Sequence, residues 1–344
     1  MRAWVAGRLR ALRAWLLVRL GLWRGQWRRG WVSVAAVPFA VGPFAVHDWH
    51  YGLYAPPGLA DDEAAPLIVV LHGCKQRAMR FAYAAGLTEL SDRMRARLLC
   101  PQQRRRANLF FCWNWFVPLA QAGAGELRVI LAMLDDATGQ VRTDPESIAA
   151  VGISAGGALA ALLAFHSPDR IRAAAVVAAP PLLGSFNVQN PQAVMRSGLL
   201  FAPELALGLS QRPFAPLAII QGTADEIVHP SCAAQLQAQV LESLHRAGVD
   251  VAREEGAQFA TAAVVDYRSE GRVRLRRIDV PGLGHEWTGG PGGHPYCAAG
   301  GAPLAALCGE FLRDAGALRG KLRDRSGKGT EAASRRDDRA DGAG

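Results

Sequence analysis

Three features of the sequence point to one α/β domain with a mainly parallel central sheet flanked by helices. Apolar runs of strand length alternate with longer stretches of helical length from about residue 50 to residue 316. Most strand runs end in glycine or turn residues and lead into a helix, as parallel pairing requires, because each crossover must carry the chain back to the same end of the sheet. Half of the 344 residues are apolar, enough to bury a large core and to exclude a wholly disordered chain. Lys and Arg outnumber Asp and Glu by 39 to 30, giving a net charge of +9. Much of the excess sits in Arg2, Arg8, Arg10, Arg13, Arg19, Arg24, Arg28 and Arg29. That asymmetry marks an appendage, not a nucleic-acid-binding domain, and no nucleic-acid partner is expected.

Residues 1–45 read as a basic amphipathic extension, 46–318 as the folded domain and 319–344 as a disordered polar tail. In residues 1–31 Arg19 interrupts the best apolar run, so neither a secretory h-region nor a membrane span is present. As a helix, the segment would set its arginines against Trp4, Leu9, Leu12, Trp15 and Leu16. That pattern suits peripheral contact with a granule or membrane surface, while packing on the domain, solvent exposure and atypical export stay open.

Within the domain, HYGLYAPP (50–57) reads as an edge strand ended by prolines and PLIVVLHG (66–73) as a buried central strand. A helical stretch (82–98), a long loop through Asn114 and a helix around 126–139 follow. ESIAAVG (146–152) is the next strand, with a helix over 154–167 and a strand over 171–179. Segment 184–213, rich in Pro, Asn and Gln, breaks the rhythm and suggests an insertion above the sheet. The remaining elements are a strand over 214–222, a helix over 231–248, a strand over 273–282 and a helix over 302–316.

Ligands of such sheets sit outside the carboxyl ends of the strands. Gly152-Ile153-Ser154-Ala155-Gly156 lies there, with a strand before it and a helix after it. Small residues two before and two after the serine permit a sharp turn that exposes Oγ and aims the next N–H at the same point. Ser154 is therefore the candidate nucleophile; the plainer reading is a glycine-rich turn. A serine needs a base, and the base needs an orienting acid. Asp225 follows a late strand and His285 follows the last, each in a turn or glycine-rich loop. Glu226 is the nearest competitor for the acid.

Backbone N–H groups of Ala155 and of Cys74, in the loop LHGCKQ, are the candidate oxyanion donors. Gln76 is placed to order that loop. Trp113 and Trp115 in FFCWNWF, with Trp287 beside His285, are candidate substrate-binding aromatics; the alternative for each is core or loop packing. No CxxC pair or zinc set occurs among Cys74, Cys100, Cys112, Cys232, Cys297 and Cys308. Their pairing is open: a bridge near the active centre can involve Cys74 and Cys112, and Cys100 reads as a buried free thiol.

LHGCKQ, CWNWF, GISAGGALAALLA, QGTADEIVHP and GLGHEWTGG, in that order, make residues 50–315 resemble the esterase family of poly(3-hydroxybutyrate) depolymerases. That family is a branch of the α/β-hydrolases that also includes feruloyl and acetylxylan esterases. The resemblance implies a serine esterase cleaving 3-hydroxybutyrate esters, in polymer or oligomers, through an acyl-enzyme. It implies Ser154 as nucleophile, His285 and Asp225 as its partners, Cys74 at the oxyanion loop, and no metal or organic cofactor. Lys75 departs from the usual small hydroxyl residue, Cys100 from a tyrosine-proline strand end, and APPLLG (179–184) from a serine-glycine segment.

The alternatives are a feruloyl/acetylxylan-type or general short-chain carboxylesterase, and a non-catalytic surface-associated protein on the same scaffold. The expected partner is a polyester or small-ester substrate. The expected location is the cytoplasm, with granule or membrane association and with export left open, as is the oligomeric state.

Overall fold

Leu67, Ile68, Val69, Val70 and Leu71 are all fully buried, as an apolar run becomes when a strand is covered on both faces. They belong to β3 (Ala65–Leu71), near the middle of a ten-stranded sheet. The computed structural model describes residues 25–35, 46–184, 190–208, 210–256 and 262–318. The other strands are β1 (Gln26–Ala35), β2 (Val46–Ala55), β4 (Arg97–Pro101), β5 (Thr143–Ile153), β6 (Ala173–Val177), β7 (Leu217–Gly222), β8 (Ala252–Glu255), β9 (Ala263–Ser269) and β10 (Arg272–Val280). Their spatial order is β1-β2-β4-β3-β5-β6-β7-β10-β9-β8. The run from β4 to β10 is parallel; β1, β2, β8 and β9 extend it in antiparallel pairs on the two sides.

Strand periodicity divides the core into two layers. Leu67, Val69 and Leu71 of β3 face one layer, with Ile130, Met133 and Leu134 of α4 (Glu126–Gln140), Leu159 and Leu163 of α5 (Ala155–His166), and Leu236 and Val240 of α7 (Pro230–Arg246). Ile68 and Val70 face the other, with Phe81 of α1 (Ala78–Ala84), Leu87 and Leu90 of α2 (Leu87–Met94), and Leu307 and Phe311 of α8 (Leu304–Asp314). The short α3 (Pro118–Gln121) and α6 (Pro191–Ser197) complete the α-helices of the described residues, and Pro203–Leu207 forms a 3-10 turn. None of them is long and apolar enough to cross a membrane.

Four features differ from the expectation. HYGLYAPP is interior, because β1 pairs with the outer side of β2. Residues 26–35, assigned to the extension, thus form the edge strand of the domain's own sheet. Gly25 and Gly30 fit there because a Cβ on either would lie 2.3 or 2.0 Å from the rings of Tyr54 or Tyr51. The helical stretch 82–98 divides at Gly86 (φ 75°) and ends at Arg95 (φ 49°), and RLLCP becomes β4. Glu270 and Gly271, both at positive φ, form the turn joining β9 to β10, a hairpin half of which carried no sequence signal.

The insertion is ordered where described. Gln235 bonds both the N–H and the C=O of Leu199, at 2.6 and 3.0 Å, and Gln239 bonds Leu182 and Pro203 at 2.9 Å. Residues 1–24 and 36–45 of the extension and the tail from 319 lie outside the described residues.

Candidate active site

The end of β5 turns directly into α5 at Ser154, which has φ 55° and ψ −125°. A non-glycine residue held there is strained, and the surroundings must hold it. They do so by close backbone approach: a Cβ at Gly152 would lie 2.3 Å from the Gly156 carbonyl oxygen, and one at Gly156 would lie 2.2 Å from that of Leu71. The small residues of GISAGG are thus a steric requirement of the elbow.

Oγ of Ser154 lies 3.0 Å from Nε2 of His285, and His285 Nδ1 lies 2.9 Å from Asp225 Oδ2. The other oxygen of Asp225 accepts the N–H groups of Ile227 and Val228 at 2.9 and 2.8 Å. Asp225 is buried, fixed by its own turn, and Gln221 Nε2 approaches Oδ2 at 3.4 Å. With Nδ1–H donated to a carboxylate, the Nε2 lone pair is left for the serine proton. Tyr296 stacks edge-on against the His285 ring with centroids 5.7 Å apart. Glu226, the competing acid, is exposed.

The loop after β3 lies against this elbow. A Cβ at Gly73 would come within 3.4 Å of the Ile153 carbonyl oxygen. Gly73 N–H donates to Gln76 Oε1 at 2.7 Å, while Gln76 Nε2 donates to the Pro295 carbonyl at 2.6 Å. Gln76 therefore ties the Cys74 loop to the loop that carries His285. Beneath it, Gln103 N–H lies 3.2 Å from His72 Nε2, and His72 Nδ1 lies 2.8 Å from the Gly73 carbonyl. Nε2 is then the acceptor and Nδ1–H the donor of a neutral ring. Burial lowers the His72 pKa to about 4, a shift that keeps it neutral.

Cys74 is bonded to Cys112, with Cα atoms 4.1 Å apart, so one pairing left open by the sequence is made at the site. Cys100 is a buried free thiol, as are Cys232, Cys297 and Cys308. The bridge fastens the segment 110–116, which is held from below by Glu126. Its carboxylate accepts Gln103 Nε2 at 2.6 Å and both the N–H and Nδ2 of Asn114 at 2.7 Å. Burial raises the pKa of this carboxyl, opposed by those hydrogen bonds.

The three candidate tryptophans are enclosed, as the packing alternative has it. Trp113 and Trp287 are fully buried and Trp115 is 3% exposed. Trp113 packs on His72; Trp287 packs on Phe81 and donates its N–H to the Ala85 carbonyl at 2.9 Å. Side chains enclosed in this way support the loops from behind and present no face to a ligand.

Sequence reasoning missed Glu126 and Tyr296. Glu126 begins a helix, where an acid is ordinary, and Tyr296 reaches His285 only because the intervening loop folds back through a Trp287–Cys297 bridge.

A serine on a strained strand-to-helix elbow, a histidine after the last parallel strand and an aspartate after the strand beside it, on this sheet order, define an esterase of the α/β-hydrolase fold. The chain belongs to the esterase PHB depolymerase family, whose model matches residues 49–260. It is 27% identical over 259 residues to poly(3-hydroxyalkanoate) depolymerase C of Paucimonas lemoignei, a match covering 72% of this chain and 61% of that one. It is 23% identical over 240 residues to poly(3-hydroxybutyrate) depolymerase of Ralstonia pickettii, covering 66% and 49%. The matched part thus spans about half to three-fifths of these two relatives. In fold it is similar to the solved acetyl xylan esterase from Aspergillus awamori, with a TM-score of 0.57 at 17% identity over 75% of this chain and 94% of that one.

Proposed function

We propose that the chain hydrolyses carboxylic esters of the feruloyl/acetylxylan type or simple short-chain acyl esters, with Ser154, His285 and Asp225 as its triad. His285 accepts the serine proton as Oγ attacks the ester carbonyl, and the N–H groups of Ala155 and Cys74 receive the oxyanion. His285 then protonates the leaving alcohol, an acyl group remains on Ser154, and water repeats the sequence to release the acid. The observation that carries this reading is the unbroken hydrogen-bond chain from Ser154 through His285 to Asp225.

A second reading, cleavage of 3-hydroxybutyrate esters in polymer or oligomers, is favoured by the family match and by the names of the two depolymerases. The burial of all three tryptophans weighs against it, because it withdraws the aromatic contacts that the sequence offered for a polyester segment. Purified protein should be compared on acetyl and feruloyl sugar esters, simple acyl esters, 3-hydroxybutyrate oligomers and amorphous polymer. The proposal predicts the highest kcat/KM on short acyl or sugar esters; faster turnover of oligomers or polymer would replace it with the second reading.

Residues 1–24 retain the expected adhesive chemistry, arginines among Trp and Leu, and are proposed to help hold the enzyme at a surface. The Cys74–Cys112 bridge belongs to the kind of crosslink that persists in oxidising compartments, which supports export over the cytoplasmic location the sequence suggested. Alkylation of the unfolded, unreduced protein should label the four free cysteines only; six labelled thiols in protein taken from its native compartment would return the enzyme to a reducing one.

A further inference from the structure

The loop after β4 carries a feature that ester hydrolysis leaves unused. Arg105 and Arg106 are exposed, and Leu109 and Phe110 just beyond them are 74% and 61% exposed. The loop after β3 lies beside them and adds Lys75 and Arg77, both exposed. The two loops are one unit, joined by the Cys74–Cys112 disulfide and by the Lys75 N–H donating to the Phe110 carbonyl at 2.6 Å.

Several of the cations are seated on rings instead of carboxylates. The Arg77 guanidinium lies 3.8 Å from the Phe111 centroid, that of Arg104 5.5 Å from Trp49, and Lys75 Nζ 5.9 Å from Phe110. Among the described residues none of Lys75, Arg77, Arg104, Arg105 and Arg106 forms an ion pair. A ring positions a cation without neutralising it. The resulting potential reaches His50, whose pKa is lowered by burial and then by Arg29, Arg77 and Arg104.

The arrangement discriminates among anionic partners. A site for one small anion would converge its cations on a point, whereas these are spread over two loops around two protruding apolar side chains. Single-stranded nucleic acid would need open aromatic faces for its bases. Here Arg77 lies over Phe111 and Trp49 is 2% exposed beneath Arg104, so of the rings these cations approach only Phe110 is open, and a single ring cannot stack successive bases. Apolar tips ringed by unpaired cations suit a surface with an apolar interior and negative headgroups.

We propose that these two loops dock the mouth of the active site onto an anionic, lipid-like interface, so that esters are taken from that surface. The purpose of the docking rests on the proposed ester hydrolysis; its existence is tested by binding alone. Full-length protein would be sedimented with vesicles of phosphatidylcholine, with and without phosphatidylglycerol, at low and high salt. Wild type should pellet with the anionic vesicles and be released by salt. R105Q/R106Q should lower the partition coefficient roughly tenfold or more, since each cation near such a surface contributes several-fold. L109S should lower it by a smaller factor that high salt does not remove. Both variants should keep the wild-type melting temperature and rate on a soluble short-acyl ester.

Wild-type partition in both variants would overturn the proposal and leave surface binding to residues 1–24. Equal binding of wild type to neutral and anionic vesicles, or preference for a single-stranded oligonucleotide over the anionic vesicles, would also overturn it. A wild-type protein that binds the vesicles and hydrolyses no ester would overturn the esterase reading and leave the docking surface in place.

Discussion

Asp225 divides its two carboxylate oxygens between folding and chemistry. Oδ1 is held by two backbone N–H groups of its own turn, so Oδ2 is pointed at His285 before any substrate arrives. D225N keeps the shape and places an amide where a carboxylate oxygen is needed, which leaves His285 with the wrong tautomer. Turnover should fall by about four orders of magnitude with little change in melting temperature; a fall below tenfold would remove Asp225 from its proposed role. His72 sets a pH dependence. Its pKa is about 4 in the folded chain against 6.5 ordinarily, so the unfolded chain takes up a proton first as the pH falls. The contribution to stability is therefore complete above pH 6.5 and is lost progressively down to about 4, with a total of order 3 kcal/mol. The urea midpoint of wild type should fall more steeply than that of H72Q between those pH values, and parallel slopes would contradict the assignment. The positions of Ser154, Asp225 and His285 were legible because strand ends and turn residues mark them locally. The choice between packing and substrate contact was not legible for Trp113 and Trp287, because their enclosure is decided by His72, Phe81 and Ala85, which are far from them in sequence.

The elbow and the loops around it depend on contacts between elements. At Gly156 an added Cβ would meet the backbone of Leu71 at 2.2 Å, and backbone cannot swing aside as a flexible side chain can. G156A should cost about 1–3 kcal/mol and displace the serine, lowering kcat well beyond the loss of folded protein. Wild-type kcat and melting temperature in G156A would show that the packing is looser than described. Glu126 is the hub of the loop that runs from Gln103 to Trp115. E126A leaves Gln103 Nε2 with the Cys112 carbonyl alone and takes the acceptor from the half-buried Asn114 N–H, and should destabilise by about 1–3 kcal/mol. E126Q retains an acceptor oxygen and should recover part of that loss in thermal unfolding. Strands with a continuous apolar run, such as β3, could be read from sequence. RLLCP could not, since a short apolar run after a helix continues the helix equally well until Arg95 is seen to turn left-handed. Nor could AVVDYRS, whose partner in β10 defines it.

At the scale of the molecule, a sheet buried on both faces holds the three proposed catalytic side chains, which come from the carboxyl ends of β5, β7 and β10. Its outer edge includes residues that composition assigned to an appendage. Arg28, Arg29 and Trp31 read as extension because charge and tryptophan dominate their neighbourhood, yet they pair with Leu53, Gly52 and His50 of β2. Removing residues 1–24 should leave the melting temperature and soluble-ester turnover unchanged, whereas removing residues 1–31 takes away the pairing of Gln26 through Trp31 and should lower thermal stability. Equal melting temperatures for the two truncations would mean that β1 contributes nothing to the domain. On the proposed mechanism, ester cleavage passes through an acyl group on Ser154. Rapid mixing with an activated short-acyl ester, followed by mass analysis of the trapped protein, tests it most directly. Wild type should release a burst of leaving group equal to the enzyme and carry one acyl group on the peptide containing Ser154, while S154A should show neither and turn over several orders of magnitude more slowly. Near-wild-type turnover by folded S154A, or an acyl group on a different residue, would mean that Ser154 is not the nucleophile.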